Sequence, residues 1–539
     1  MAQLVRLLGM QARSDRRLLS VWILGIGALG LAAAAAVGSE FSEEAERASI
    51  LAVAAANPAF LFLRGLPDGV SVGAVVFFQA YSFTAVLAGL MSTFLVVRHT
   101  RADEELGRAE LVGSTPVGRA APLAATVVLG IGANIVLTGV VALGYAAGGL
   151  PLRGSIVAAL AVGSVGVVFV GVAAVVAQLL PSGTGANGVS AATVGIAYLV
   201  RGAGDALGTP GAELMRVVPS GLSWLSPIGW GQATRPFSEP QAVPLLLPAG
   251  ACLLLVVLAL ALRQRRDLGA SLVAERDGRA RAGVGGHSML GLAWRLQSST
   301  LIGWCVGGGV LGLIAGGLGP LVSDAVRGNP SLSDLIARLV PGSQADIVEV
   351  FTAALVGIAG VLAAAAGVQV LVRLRSEESG GRAELLLATP RTRGEWIGSA
   401  MLIASLSVTA VCAVTGMAAG AAIAASSGDA ADLVRYTGAA LAHTPAALVF
   451  VAVTALAFAA APRLTAALGW GLLTVGLILG QFGELLGLPG WLQDVSPYRH
   501  TSALPVEELD VPAALLLVAV AGLGGLLAAV LLRRRDLVA

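Results

Sequence analysis

The sequence predicts an all-α polytopic membrane protein, with twelve transmembrane helices arranged as two parallel six-helix repeats and a short charged helix after the second span of each. Three observations predict it. Hydrophobic residues make up 56% of the 539 and charged residues 12%, with a mean hydropathy of +0.85; soluble domains carry roughly 25% charged residues. The apolar runs extend for about 20 residues, the length that crosses a bilayer as a helix, and lack the ten-residue alternation of a membrane barrel. Finally, one polar motif occurs twice without a gap. Arg101, Glu104, Gly107, Arg108, Glu110, Leu111, Thr115, Pro116 and Arg119 recur as Arg375, Glu378, Gly381, Arg382, Glu384, Leu385, Thr389, Pro390 and Arg393, and the steps from Arg101 to Arg375 and from Arg119 to Arg393 are both 274 positions. Such a match inside an apolar chain marks an internal duplication.

The apolar segments of the first half fall at 18–37, 70–97, 120–147, 155–180, 188–200 and 243–262, and those of the second at 300–322, 347–372, 396–424, 437–460, 464–486 and 511–532. An even number per half orients both halves alike, which makes the duplication parallel, not inverted. Other landmarks recur: Leu8, Gly9, Arg13 and Trp22 as Leu290, Gly291, Arg295 and Trp304; Arg265-Arg266-Asp267-Leu268 as Arg534-Arg535-Asp536-Leu537; and Ser226-Pro227 as Ser496-Pro497. The expected domains are a first repeat at 1–270, a Gly/Arg-rich linker at 271–289 and a second repeat at 290–539. The run at 18–37 is long enough to span and lacks a cleavage context, so it reads as a retained helix and not a signal peptide. Gly416 and Gly420 have the spacing that lets helices approach closely.

Arg13, Arg16, Arg17, Arg98, Arg101, Arg108, Arg119, Arg263, Arg265, Arg266, Arg373, Arg375, Arg382, Arg533, Arg534 and Arg535 all fall on one side of this threading, and positive charge marks the cytoplasm. The opposite loops lean acidic, with Glu40, Glu43, Glu44, Glu46, Asp324, Asp334 and Asp346. Both termini are therefore expected in the cytoplasm of a multi-pass membrane protein. The linker would lie near anionic headgroups, its end at 289–295 forming an interfacial helix like 4–10, and the stretches 208–241 and 487–510 suggest short re-entrant or interfacial pieces.

Several chemistries are argued against. All 34 basic residues are arginine, so the phosphate-binding lysine of a nucleotide loop is absent and any ATP chemistry must come from a partner. Cys252, Cys305 and Cys412 sit in apolar runs as small buried hydrophobes, and His99, His287, His443 and His500 have no ligand or triad spacing. Neither a metal nor a catalytic site is expected, nor a nucleic-acid partner. Ionisable residues are scarce within the spans, which disfavours the alternative of a twelve-span secondary transporter coupled to ions. Arg201, Glu395 and Glu484 stand near span ends, from which they can reach an interface. Phe77, Phe78 and Tyr81, with Gln79 beside them, either line the path of a hydrophobic substrate or pack against lipid and neighbouring helices.

The repeated motif reads as a short helix along the membrane. Glu104 with Arg108, and Glu378 with Arg382, have the i,i+4 order that favours a surface ion pair. Thr115-Pro116 and Thr389-Pro390 end that helix and supply the cap and first residue of the next span. The pattern E-x-x-G-R-x-E-L-(x)3-T-P-x-x-R after the second span of a six-span unit resembles the coupling helix of ABC-2 type exporter permeases, and the fused layout is similar to tetronasin-type polyketide antibiotic and multidrug exporter permeases. The resemblance implies that two copies of a separate ABC ATPase, carrying ATP and Mg, dock on 101–119 and 375–393 to drive export of a hydrophobic small molecule. The copies differ at Glu105 and Ser379 and at Leu106 and Gly380, so the two docking sites are not expected to be identical. Purified alone, the chain should neither bind nor hydrolyse ATP; hydrolysis that persists in the preparation freed of contaminating ATPases would refute this reading.

Overall fold

The computed structural model describes residues 2–41, 43–56, 58–116, 118–211, 216–267, 269–273, 288–317, 347–481, 489–502, 504–505 and 507–535. The expectations at Leu268, His287, Asp324, Asp334, Asp346, Glu484, Asp536, Leu537 and the linker stretch 274–287 lie outside the described residues. The chain divides into two compact units, Met1–Asp277 and Gly278–Ala539.

In the first unit a helix of 39 residues, Ala2–Glu40, precedes Glu44–Ala56, Pro58–Arg64, Val72–Val97, Ala121–Ala147, Leu152–Leu179, Gly183–Ala206 and Leu246–Arg265. The second contains Met289–Gly317, Ile347–Ser379, Arg393–Ser427, Ala431–Leu441, Thr444–Ala460, Thr465–Gln481 and Val511–Arg534. The segments 4–10 and 289–295 are continuous with the helices that follow them, so neither forms the separate interfacial helix expected. Nothing in them breaks a helix.

Small residues set the helix crossings. A Cβ added at Gly144 would lie 2.8 Å from the Gly27 carbonyl oxygen, so Ala121–Ala147 meets Ala2–Glu40 backbone to backbone. In the second unit Gly416 and Gly420 are the floor on which Ala431–Leu441 lies, each with backbone Cα atoms 2.7 Å from where a Cβ would stand. Replacing hydrogen by methyl at these points would force the helices apart, because lipid-soluble bundles rely on close van der Waals contact.

Among the described residues, eleven helices are long and apolar enough to cross a membrane, not the twelve expected. The exception is the segment 188–200. It belongs to the 24-residue helix Gly183–Ala206, whose apolar character is diluted by Gly, Ser, Thr and Asn187 and which ends in Arg201 and Asp205. Arg201 does not reach an interface. It is fully buried, paired at 3.1 Å with an equally buried Asp205, stacked 4.7 Å from the Tyr198 ring, and donates to the Leu61 carbonyl at 3.3 Å. Ser223 Oγ donates to the other Asp205 oxygen at 2.6 Å. Position along the chain suggested an accessible arginine, but a carboxylate one turn away let the pair stay inside.

Between that helix and Leu246–Arg265 lie a two-residue antiparallel strand pair, Thr209–Pro210 with Val217–Val218, a 3-10 turn Gly221–Leu225 and a short helix Pro227–Gln232. The two Ser-Pro landmarks adopt one geometry. Ser226 Oγ caps the Ile228 amide at 3.2 Å and donates to the Ala197 carbonyl at 2.7 Å; Ser496 Oγ caps the Tyr498 amide at 3.3 Å and donates to the Gly476 carbonyl at 2.6 Å. Each hydroxyl thus starts a short helical turn and ties it to a neighbouring long helix.

Breaking the Arg201–Asp205 pair from one side should be severe. Asp205→Asn leaves a buried guanidinium without its counter-ion and should lower stability by roughly 3–5 kcal/mol, whereas replacing both residues by apolar ones of similar volume should cost far less. Thermal unfolding of the purified variants in detergent checks the order; equal losses for the single and double changes would show that the pair is not internally compensated.

Candidate functional site

At one end of the first unit, Val72–Val97 continues through a turn of π-helix, Arg98–Ala102, into Asp103–Glu105. Gly107 then takes a left-handed conformation with φ +71°, and a new short helix, Arg108–Gly113, begins. The second unit repeats this: Ile347–Ser379 ends, Gly381 has φ +71°, and Arg382–Leu387 follows. A side chain at either glycine would add strain of roughly 1–2 kcal/mol. The motif is therefore a kinked corner, not one continuous helix.

That corner redirects the charges. The expected i,i+4 pairs do not form, because the left-handed glycine lies between their members. Arg108 instead pairs with Asp103 at 3.3 Å, and Arg382 with Glu377 at 2.6 Å. Glu104 turns inward with its side chain only 7% exposed and is shared by Arg101 at 2.9 Å, Arg266 at 2.7 Å and Arg263 at 3.3 Å. Glu378, 3% exposed, pairs with Arg375 at 3.3 Å and with Arg535. The carboxylate after the second span thus clasps the arginines that end the last helix of the same unit, in both units.

Backbone and polar groups complete each clasp. Arg101 donates to the carbonyls of Pro181, Ala270 and Gly269 at 2.5–3.0 Å, and Arg266 Nε to Gln178 Oε1 at 2.8 Å. Arg535 donates to the Phe458 carbonyl at 2.5 Å and stacks 5.1 Å from that ring. Glu105 accepts from the Gly183 amide at 2.9 Å, placing a carboxylate at the N-terminus of Gly183–Ala206; Ser379 stands at the matching position in the second unit. Arg263, Arg266, Gln178 and Arg535 were missed as site residues. The repeated Arg-Arg-Asp run points to Arg266 and Arg535 only as a landmark of duplication, and nothing in the sequence singles out Gln178.

The Thr-Pro pairs also behave differently from expectation. Thr115 Oγ1 donates to the Val112 carbonyl at 2.6 Å and Thr389 Oγ1 to that of Leu386 at 2.5 Å, so each threonine closes the short helix but does not cap the next one. The following helices begin at Ala121 and Arg393, the latter with a capping box of Thr392 and Glu395. Of the remaining motif residues, Arg119 pairs on the surface with Asp267 at 3.1 Å, and Arg393 donates to the Arg535 carbonyl. Glu110, Glu384, Pro116 and Pro390 are exposed, and the tips of the two corners present Leu111 and Leu385 at 74% and 75% exposure.

In the proposed substrate face, Phe77, Phe78 and Tyr81 are buried core residues. Phe77 stacks on Tyr81 with centroids 4.5 Å apart, and Tyr81 Oη donates to the Ile228 carbonyl at 2.7 Å. Gln79 is half-buried. Only Phe77 of the four lines a cavity, one of about 230 Å³ that also meets Asp205, Gln232 and Phe237. No group of His, Cys, Asp and Glu suited to a metal occurs among the described residues.

Long apolar helices in two units, each with a charged corner clasped to its last helix, define a polytopic helical membrane protein. Residues 287–533 match the family described as multidrug efflux system permease Rv1217c, C-terminal domain. Over 533 residues, 98% of this chain and 94% of the relative, the chain is 36% identical to the multidrug efflux system permease protein Rv1217c of Mycobacterium tuberculosis (strain ATCC 25618 / H37Rv). The chain belongs to this family of efflux permeases.

The clasps make a prediction that surface pairs would not. Glu104→Ala should lower the thermal stability of the detergent-purified protein by roughly 3–5 kcal/mol, because it strands buried arginines, and Glu378→Ala should cost less, because Arg375 and Arg535 are partly exposed. Exposed Glu110→Ala should change it by no more than about 0.5 kcal/mol. Comparable small effects at all three positions would remove the clasp as a structural element.

Proposed function

We propose that this chain is the membrane permease of an efflux system driven by a separate ABC-type ATPase, two copies of which dock on the charged corners at 101–119 and 375–393. The observation that carries the proposal is the matched pair of tips. In each unit an exposed leucine, Leu111 or Leu385, is flanked by an arginine and a glutamate, Arg108 and Glu110 or Arg382 and Glu384, on a short helix held by a left-handed glycine and a buried clasp. Large apolar residues so exposed, with charges around them, suit a protein partner. Membership in the efflux-permease family supports the direction of transport, and the arginine distribution supports placing the corners and both termini in the cytoplasm. Exported compounds would be hydrophobic drugs or polyketide antibiotics. ATP and Mg belong to the partner, and this chain catalyses no reaction.

Mechanically, the clasp gives a tip somewhere to push. Closure of the ATPases displaces the two short helices, and the Glu104 and Glu378 ion pairs pass the movement to the second and last long helices of each unit. Alternating access or lateral expulsion of the substrate follows from that displacement.

Leu111→Asp and Leu385→Asp alter only exposed tips. Each single change should weaken co-purification of the ATPase, and the double change should abolish it together with export, while thermal stability stays within about 0.5 kcal/mol of the parent. A double variant that exports normally without any ATPase, and whose export collapses when the proton gradient is dissipated, would instead establish an ion-coupled carrier.

A further inference from the structure

Beside the short helix Arg108–Gly113, the first unit has a partly open cavity of about 780 Å³. The same space in the second unit is about 40 Å³. The two are equivalent by their walls: Leu7, Met10 and Ser14 correspond to Met289, Leu292 and Leu296 at a common step of 282, and Asp103, Val112 and Pro122 to Glu377, Leu386 and Trp396 at the motif's step of 274. Two substitutions distinguish the walls. Trp396, buried and packed edge-on against Phe458 at 5.8 Å, fills the volume that Pro122 leaves open. Arg263, on the wall of the open cavity, is replaced by the fully buried Leu532, both lying two residues before the Arg-Arg-Asp run.

Arginine exceeds carboxylate on the lining of the open cavity: Arg98, Arg108, Arg119, Arg263 and Arg266 stand against Asp103, Glu104 and Glu110. Arg101, Arg263 and Arg266 share one carboxylate, Glu104, whereas Glu378 serves only Arg375 and Arg535. Of the other acids nearby, Asp103 pairs with Arg108, Asp15 with Arg98 and His99, and Asp267 with Arg119 at the surface, and exposed Glu110 is the one further carboxylate on the lining. Arg263 is only 8% exposed in its side chain and has the long 3.3 Å pair with Glu104, so its donors are the least used of the three. Buried like charges of this kind favour an anion between them. The rest of the lining is apolar, with Leu7, Met10 and Leu123.

We propose that the first unit binds one phosphate-bearing anion in this cavity, the phosphate against Arg263 and Arg119 and any acyl chain along Leu7, Met10 and Leu123, and that the second unit has lost the site to Trp396 and Leu532. The inference concerns the resting protein and is independent of how transport is powered. An anionic phospholipid matches both the basic and the apolar wall and is at hand beside helix ends; a free phosphate would use the basic wall alone.

The test uses the full chain, delipidated and then placed in nanodiscs of phosphatidylcholine with or without phosphatidylglycerol, with bound lipid counted by native mass spectrometry and stability followed by thermal unfolding. The parent should retain one phosphatidylglycerol in preference to phosphatidylcholine. Pro122→Trp and Arg263→Leu, which install the second unit's own residues, should lower that retention about tenfold. Should Pro122→Trp fail to fold, Arg119→Gln, at an exposed position, is read in its place and should also weaken retention. Stabilisation by phosphatidylglycerol but not by millimolar inorganic phosphate identifies a lipid, and stabilisation by phosphate in pure phosphatidylcholine identifies a free anion at the same site. Equal retention of the two lipids without any effect of phosphate, or unchanged binding in the variants, would overturn the proposal.

Discussion

A carboxylate at the end of the second span of each unit, Glu104 or Glu378, has to be neutralised where water is scarce, and much of the surrounding structure follows from how that is done. An unpaired buried carboxylate would be prohibitively destabilising. Each is satisfied by arginine from its own corner and by arginine at the end of the unit's last helix. The second helix and the last helix of a unit therefore cannot drift apart at that end without exposing or stranding charge. The left-handed Gly107 and Gly381 are the complement of this constraint, because they turn the following short helix outward just after the carboxylate has turned inward.

At the other end of each unit a neutral hydroxyl ties a short turn to a long helix. Ser226 and Ser496 each cap a short turn and donate to a carbonyl of the long helix beside it. Polar groups thus pin the two ends, while glycine and alanine contacts set the spacing between them. The buried carboxylates Glu104 and Glu378 hold each corner, and the exposed Leu111 and Leu385 are the side chains it displays.

The units differ where the duplication has been edited. Glu105 holds the start of Gly183–Ala206 in the first unit, and Ser379 offers no equivalent carboxylate. Trp396 occupies in the second unit space that Pro122 leaves open in the first, and Leu532 stands without charge where the first unit has Arg263. The two units thus present the same Arg-Ala-Glu-Leu tip, 108–111 and 382–385, over unlike interiors.

By itself the sequence determined the class of protein and the place of the charged corner. Long apolar runs have few ways to be satisfied in a bilayer, and an in-register polar repeat has few origins, so both are legible without coordinates. Most span boundaries followed for the same reason, with 188–200 the exception because its composition sits between a span and a buried polar helix. What only the tertiary structure decided is the partner of each charge. Glu104 and Arg108 have ideal spacing for a helical pair, but a glycine at φ +71° intervenes and the carboxylate finds arginines more than 150 residues away. Arg201 stands near a span end in the sequence, but Asp205 and Ser223 hold it inside; Phe78 and Tyr81, which the sequence allows either as a path lining or as packing residues, are buried in the core. Local spacing states which pairs are possible; burial selects among them, because an ion pair removed from water is bound by whichever partners the packed helices bring within reach.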